Sequence, residues 1–390
     1  MAEYDIAIVG GGLTGAALAG LLKARGKSVV HFAPVMEKDF RTSALMMPTV
    51  EFLQDSGLCP DPDALGYPLR QIRIIDATNR LLRGPEALFD SREAGHEQFG
   101  YNFPNADLLP RFQAFADDQS GEITKVEARV GLIDRQEDGV FVITDAHQNE
   151  HRARLLVGAD GKKSMVRQQF SFEFDEEQFA QSALVCDFEF ERSIGDCSIE
   201  FHYENGPFTL VPAHNNKINL VWLDQHKVLN EALALSDEKF EKLLEDKANH
   251  LFGHAKLLTK RFVFPLSNLH MRFAGKDGVV LVGEAAHAFP PIGAQGLNLG
   301  LRDVESLIEA IDEVSPQNQP LTRADADRVS AIYAAKRTPD LIKTGGFVDG
   351  LFKSLLSDFL PAQLLRLSGL WALKSVSPLR KLAFKIGMGR

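Results

Sequence analysis

The stretch YDIAIVGGGLTGAALAGLLKARGKSVVHFA, from Tyr4 to Ala33, constrains the fold more than any other part of the chain. Ile6 to Val9 form a continuous apolar run, the pattern of a short parallel strand covered on both faces. Leu13 to Arg25 is rich in Ala and Leu and predicts a helix that ends at Gly26; Ser28 to Phe32 predicts a second strand. Between the first strand and the helix, Gly10, Gly12 and Gly15 fit G-x-G-x-x-G, with Leu13 and Thr14 in the same turn. The first glycine permits a tight turn, the second lets a pyrophosphate reach the backbone, and the third lets helix pack closely on strand. The helix N-terminus then offers free N–H groups and the positive end of its dipole to phosphate. The motif alone is weak. Its setting in a strand–turn–helix–strand unit is what predicts dinucleotide binding.

One part of that unit is missing. An acid that holds the adenosine ribose belongs at the end of the second strand, about 20 residues on, but position 33 is Ala. Glu37 is the nearest carboxylate. The ribose is therefore expected to be held by Glu37 from the loop, or by backbone alone.

A second glycine-rich turn lies far downstream, in GKDGVVLVGEAAHAFPPIGAQGLNLGLRD from Gly275 to Asp303. Val279 to Val282 predict a buried strand. Gly283 and Glu284 follow at its carboxyl end, where ligands collect in an open α/β sheet. Pro290 and Pro291 stiffen a loop, Gly293 and Gly296 keep it bare, and Leu297 to Ile308, including Asn298, predict an amphipathic helix. Two bare turns, each before a helix N-terminus, suit a ligand with a long polyol and a charged ring. The carboxylate would hydrogen-bond hydroxyls, and the helix dipole would stabilise negative charge on the ring. FAD has both features.

At these residues the sequence resembles the single-domain, FAD-dependent aromatic hydroxylases. Their fingerprint G-D-A-A-H-x-x-x-P-x-x-G-x-G-x-N-x-G-x-x-D is matched at Gly283, Ala285, Ala286, His287, Pro291, Gly296, Asn298, Gly300 and Asp303, with departures at Glu284 and at Ala294-Gln295. Glu284 keeps the charge of the family Asp on an arm one methylene longer. LLVGADGKKSMVRQQ, residues 155–169, matches the D-G motif at Gly158, Asp160, Gly161, Ser164, Val166 and Arg167. DFRTSAL, residues 39–45, resembles D-x-R-x-x-A-L, and GYNFPNADLLPRF from Gly100 resembles G-Y-x-x-x-N-x-x-L. The four segments stand in the family order and span nearly the whole chain. The resemblance implies ribitol contact by Glu284, a ring cradle from the loop before Leu297, and a pyrophosphate or ribitol contact by Arg41. It implies further cofactor contacts at Asn105, Val130, Asp160, Gly161 and Arg167. His287 is the one tempting base, but the matching motif places it at a packed helix entry, so no obligatory acid–base residue emerges.

Residues 170–266 differ in pattern. CSIEFHYENGPFTLVPAHNNKINLVWL from Cys197 alternates apolar and polar residues around turn signals at Glu204-Asn205-Gly206 and Asn215-Asn216, which predicts antiparallel strands. SDEKFEKLLEDKANHLF predicts a helix with Ser236 as N-cap, and RFVFPLS returns to strand. The expected architecture is α/β. A Rossmann-like FAD-binding domain is built from 1–75, 100–170 and 267–335. A sheet domain from 76–99 and 171–266 holds the substrate, and a helical segment follows from 336 to 390. With 390 residues, more than one packed unit is expected.

Composition narrows the function classes. A net charge of −10 argues against nucleic-acid binding. Cys59, Cys186 and Cys197 form no CxxC, and with eleven His they make no ligand-spaced cluster, so no metal is expected. The acidic N-terminus is not a secretory signal, and no run approaches the ~18 apolar residues of a membrane span; a cytoplasmic protein is expected. From Leu341 to Arg390, however, eight Lys and Arg face two Asp. This basic, apolar tail is either a helical lid or a surface that meets the inner face of an anionic membrane or a biosynthetic complex.

Within the family, GPFTLVP…INLVW, FPL and the C-terminal GLWALKSVSPLRKLAFKIGMG most resemble the ubiquinone-biosynthesis hydroxylases. That resemblance implies hydroxylation of a polyprenylated phenol with FAD, O2 and a transiently bound NAD(P)H, through a flavin hydroperoxide in a site that excludes water. No second G-x-G-x-x-G is present to give the nicotinamide cofactor its own domain. The alternatives are an FAD monooxygenase of a soluble aromatic or polyketide, and a flavin-binding subunit without catalysis. Either a monomer or a homodimer fits.

Overall fold

The computed structural model describes residues 3–79, 83–291 and 294–356, and its centre is the strand Glu3–Val9. Parallel partners flank it on both sides, giving the order Val279–Leu281, Glu150–Gly158, Glu3–Val9, Val29–Phe32, Ile123–Val126. The continuous apolar run is explained by this position: from Tyr4 to Val9 every residue is buried. The helix Leu13–Ala24 packs against the helices Asn105–Asp118 and Gln295–Val314. Their apolar faces join the central strands in one core cluster. Gln295–Val314 begins two residues before the predicted start and runs past Ile308, because its buried stripe continues through Leu307, Ala310 and Ile311.

Two antiparallel strands, Phe141–Asp145 and Val130–Arg135, extend this sheet from Glu150–Gly158. Asp145 organises the turn between Phe141–Asp145 and Glu150–Gly158. Its Oδ1 accepts from the His147 amide at 2.7 Å and the Asn149 amide at 3.0 Å, and its Oδ2 from Asn149 Nδ2 at 3.1 Å. Desolvation would raise the Asp145 pKa, but these donors outweigh it and hold it at about 2 against an ordinary 3.8. A depressed carboxyl pKa contributes stability that is complete above pH 3.8 and lost as the pH falls through about 2. Asp145→Asn is expected to flatten that acid limb in urea denaturation across this window, and an unchanged limb would refute the assignment.

The second large sheet has nine strands among the described residues. In order they are His287–Ala288, Phe262–Met271, Phe174–Phe190, Ile218–Gln225, Gly206–Pro212, Cys197–Tyr203, Gln71–Asp76 and Ala87–Asp90, with Ala255–Leu257 beside Phe174–Phe190. The predicted antiparallel ladder is present, with a hairpin pairing Tyr203 with Gly206. Asn215 and Asn216 both take left-handed backbone with φ of 60°. Gln71–Asp76 joins the ladder in parallel with Cys197–Tyr203, a long-range pairing that no local pattern encodes. The helices His226–Leu233 and Asp237–Lys247 help bury its second core, built around Phe188, Phe201, Phe208, Trp222 and Phe240. Ser236 occupies the N-cap position as predicted but makes no side-chain capping bond; Asp237 and Glu238 sit in the first turn instead, on the positive end of the helix dipole.

A small sheet of Thr42–Met46, Gly100–Pro104 and Tyr67–Leu69 lies beside the large one. It is tied there by Asn102, whose Nδ2 donates to Asn219 Oδ1 at 2.6 Å and to the Pro212 carbonyl at 3.1 Å. The helix Arg323–Leu356 closes the chain's described part, packing on Gln295–Val314 and on strands of both large sheets. The remainder of the basic tail, 357–390, lies outside the described residues.

Candidate cofactor site

The N-terminal turn is built as its glycine spacing requires. Gly10 has φ of 127°, and a Cβ there would collide with the carbonyl of Ala159 at the end of the adjacent strand. A Cβ at Gly15 would fall on the Gly10 carbonyl. Gly12, at the helix N-cap, differs: a Cβ there would meet nothing within 4 Å. Its bare backbone faces open space. His31 Nε2 lies 2.9 Å from the Gly10 carbonyl and supports the turn from the second strand. Leu13 and Thr14 open the helix, half-buried.

The second wall comes from 158–167. Asp160 Oδ2 accepts from the Met165 amide at 2.7 Å and the Val166 amide at 3.3 Å, while its Oδ1 is buried with no partner. A Cβ on Gly161 would again meet nothing within 4 Å. Arg167 is buried; it donates to the Ala285 carbonyl at 2.8 Å and to Lys162 at 2.6 Å, and lies 4.7 Å from the Phe174 ring centre. Desolvation is the main cause lowering its pKa, against the pull of Asp160 and Glu176. So Arg167 fastens this wall to the third.

The third wall is the Gly283 corner and the helix after it. Gly283 is left-handed at φ of 61°, where a Cβ would come 2.9 Å from Thr14 Oγ1; a Cβ on Gly300 would come equally close to that oxygen. Both turns therefore meet at Thr14. Glu284 is exposed beside this corner. Ala294 is left-handed at the N-cap of Gln295–Val314, and a Cβ on Gly296 would meet nothing within 4 Å. Leu297 is half-buried against the core. Asn298 is occupied: it donates to the Ala44 carbonyl at 2.9 Å and accepts from the Met46 amide at 2.9 Å, latching the helix start to Thr42–Met46. Pro291 is exposed, and Gly293 lies outside the described residues.

His287 is buried. Its Nε2 sits 2.7 Å from Asp303 Oδ2, which also accepts from the Gly283 amide at 2.8 Å. Burial would raise the Asp303 pKa, but His287, Arg337 and the Gly283 amide hold it below the ordinary carboxylate range. His287 is thus packed against Asp303 through Nε2, while its buried Nδ1 has no partner.

The Arg41 segment contributes a polar cluster the sequence shows only in part. Arg41 forks onto Asp39 at 2.9 Å through both Nε and a terminal nitrogen. Asn105 donates to Asp39 Oδ2 at 2.9 Å and accepts from Ser43 at 2.7 Å. Asp39 and Ser43 flank Arg41 within DFRTSAL and could have been singled out on that ground. Desolvation opposes it, but the bonds from Arg41 and Asn105 lower the Asp39 pKa; Arg41 in turn is raised, first by Asp39 and also by the charge of Glu284. Ala33 is buried, 2.9 Å from where a Gly11 Cβ would stand, and Glu37 is exposed in the following loop. Val130 opens its antiparallel strand, half-buried.

Three separate stretches thus place glycines with no neighbour at the Cβ position, at Gly12, Gly161 and Gly296, in walls joined through Thr14 and Arg167, with one orphaned buried carboxylate oxygen at Asp160. That arrangement fits a long dinucleotide. The FAD binding domain family matches residues 3–335. The chain belongs to the FAD-dependent aromatic hydroxylases. Ubiquinone hydroxylase UbiL of Rhodospirillum rubrum is 30% identical to this hydroxylase, covering 99% of it and 89% of the relative. 3-Demethoxyubiquinol 3-hydroxylase of Escherichia coli is 26% identical over 99% and 98% of the two chains. Among solved structures, p-nitrophenol 4-monooxygenase PnpA from Pseudomonas putida superposes with a TM-score of 0.80 at 17% identity, covering 100% and 99% of the two chains. P. aeruginosa PqsL in complex with 2-aminobenzoylacetate gives 0.78 at 21%, covering 95% and 100%. The hydroxylase therefore has the class A monooxygenase fold, and its cofactor is FAD. Among the described residues it has no group of His, Cys, Asp and Glu able to hold a metal, and no helix long and apolar enough to cross a membrane.

Proposed function

We propose that the enzyme adds a hydroxyl group to the aromatic ring of a polyprenylated phenol or quinol on the route to ubiquinone, using NAD(P)H and O2. The bare backbone at Gly12, Gly161 and Gly296, in walls joined through Thr14 and Arg167, supports the redox half of this reading. The end-to-end similarity to ubiquinone hydroxylases supports the substrate half.

The chain's own residues divide the work. Amides of the Gly10–Gly15 turn and the helix dipole behind them bind pyrophosphate. Glu284 would hydrogen-bond the ribitol, and Arg41, held by Asp39, would make a pyrophosphate or ribitol contact. Asn105 keeps that pair in register, and Glu37 or the backbone near Ala33 holds the ribose. The N-terminus of Gln295–Val314 would favour negative charge on the ring through its dipole. When bound, the flavin supplies the electron transfer and oxygen activation. The protein orients ring and substrate and keeps water out. The basic stretch from Leu341 onward brings the enzyme to an anionic membrane; flotation on anionic vesicles should weaken when 341–390 are removed, and equal flotation would sink that part.

The purified yellow protein should oxidise NAD(P)H several-fold faster when a short-chain demethoxyubiquinol analogue is added, and the product should be heavier by one oxygen in mass spectrometry. Stimulation only by a soluble phenol would point to the alternative substrate class. Bound FAD without any stimulated turnover would leave a flavin-binding subunit.

A further inference from the structure

The family match stops at residue 335, yet the side chain that secures the Gly283 corner stands two residues beyond it. Arg337, on the helix Arg323–Leu356, is buried, and its Nε donates to Asp303 Oδ1 at 2.7 Å. Asp303 has no exposed surface, and its other oxygen holds both the Gly283 amide and the His287 ring. On its outer side Arg337 donates to Asp340 Oδ2 at 2.6 Å, and Asp340 in turn accepts from Arg302 at 3.0 Å. Cation and anion alternate from the half-exposed pair Arg302–Asp340 inward through Arg337 to Asp303. An unpaired carboxylate so deeply buried would be costly, and Arg337 is the cation facing it. Tyr333, one turn earlier, donates to the Leu281 carbonyl at 2.8 Å and holds the same helix to the strand leading into the corner.

We infer that Arg337 is a positioning residue for the flavin, acting through Asp303 on the Gly283 amide and the His287 ring. This rests on the reading that FAD occupies the cradle beside Gly283. The Gly283 corner is left-handed and abuts Thr14, and it sets where Glu284 leaves the strand. Losing Arg337 frees Asp303 to turn from both groups, and the corner loses its fixed direction toward the ribitol. The long C-terminal helix is thereby coupled to cofactor affinity, although Arg337 itself faces protein and not the cradle.

The test compares wild type, Arg337→Lys, Arg337→Met and Asp340→Asn as full-length proteins. FAD affinity of the stripped protein is measured by fluorescence titration, and the bound flavin's visible spectrum and midpoint potential are recorded. Outer-sphere partners of bound metals change affinity by about 10–100-fold, and a loss of the same order is expected here. Arg337→Met should weaken FAD by that much and shift the flavin spectrum and potential. Arg337→Lys should recover part of the loss, and Asp340→Asn, which keeps the Asp303 contact, should lose least. If Arg337→Met does not fold, Arg337→Lys against Asp340→Asn carries the same comparison. Variants that melt earlier but bind FAD with wild-type affinity and an unchanged spectrum would overturn the inference. A wild type that takes up no FAD would instead overturn the reading of the cradle.

Discussion

Gly10→Ala is expected to yield a chain that no longer folds stably, while Gly12→Leu is expected to yield a folded protein without colour. The two glycines are neighbours in one motif but answer to different partners. Gly10 holds φ of 127°, and its missing side chain leaves room for the Ala159 carbonyl. An L-residue in such backbone costs about 1–3 kcal/mol, and relieving the overlap requires the ends of two central strands to part. The total is on the order of 4–5 kcal/mol, a large share of the ~5–15 kcal/mol by which domains are stable. Gly12 has φ of −73° and an empty Cβ position, so a side chain there meets no protein atom. It would occupy the space of the pyrophosphate. Urea denaturation should show a sharp loss for Gly10→Ala and about 1 kcal/mol or less for Gly12→Leu, the latter from a poorer N-cap. FAD titration should show affinity reduced on the order of 100-fold for Gly12→Leu, or about 2.7 kcal/mol. Wild-type affinity in Gly12→Leu would mean the phosphates lie elsewhere.

Lys27→Met should produce the second large effect. Lys27 is fully buried directly after the turn that ends the first helix. Its ammonium donates to the Ser315 carbonyl and hydroxyl at 2.9 Å each, the Pro316 carbonyl at 3.0 Å and the Gln319 carbonyl at 2.6 Å. These groups follow the C-terminal end of Gln295–Val314, where a cation also meets the negative end of the helix dipole. Met preserves much of the volume but leaves buried carbonyls without donors, at a cost of about 3–5 kcal/mol. Burial is the leading cause that lowers the Lys27 pKa from 10.5, against the pull of Asp5, Asp312 and Asp325. Above that lowered value the unfolded chain binds the proton more strongly, so Lys27 makes stability rise with pH up to about 10.5. Lys27→Met should remove that alkaline limb as well as lowering the plateau. A plateau change under about 1 kcal/mol would show that the carbonyls find other donors.

The cofactor turns were legible because their requirements are local. Gly15 is fixed by a clash five residues away, with the Gly10 carbonyl, and Gly10 by its own backbone φ of 127°; a glycine spacing records such requirements directly, although the Ala159 carbonyl that also closes on Gly10 comes from a distant strand. The buried strand at Glu3–Val9 and the amphipathic stripe of Gln295–Val314 were legible for a similar reason: burial of one face or both writes a period into the chain. Arg41 and Asn105 could be named from their motifs, but their shared hold on Asp39 could not, since nothing short-range joins residues 39 and 105.

The sequence by itself determined that a strand–turn–helix unit with a bare backbone would form, because sterics and hydrophobic period act between near neighbours. Only the tertiary structure decided that Thr14 lies where both glycine turns meet, that Gln71–Asp76 runs parallel to Cys197–Tyr203, and that Asp303 finds Arg337 and Lys27 finds Ser315. A carboxylate or an ammonium looks the same in a sequence whether water or a buried partner awaits it. Which of the two it meets is settled when distant elements pack and exclude the solvent between them.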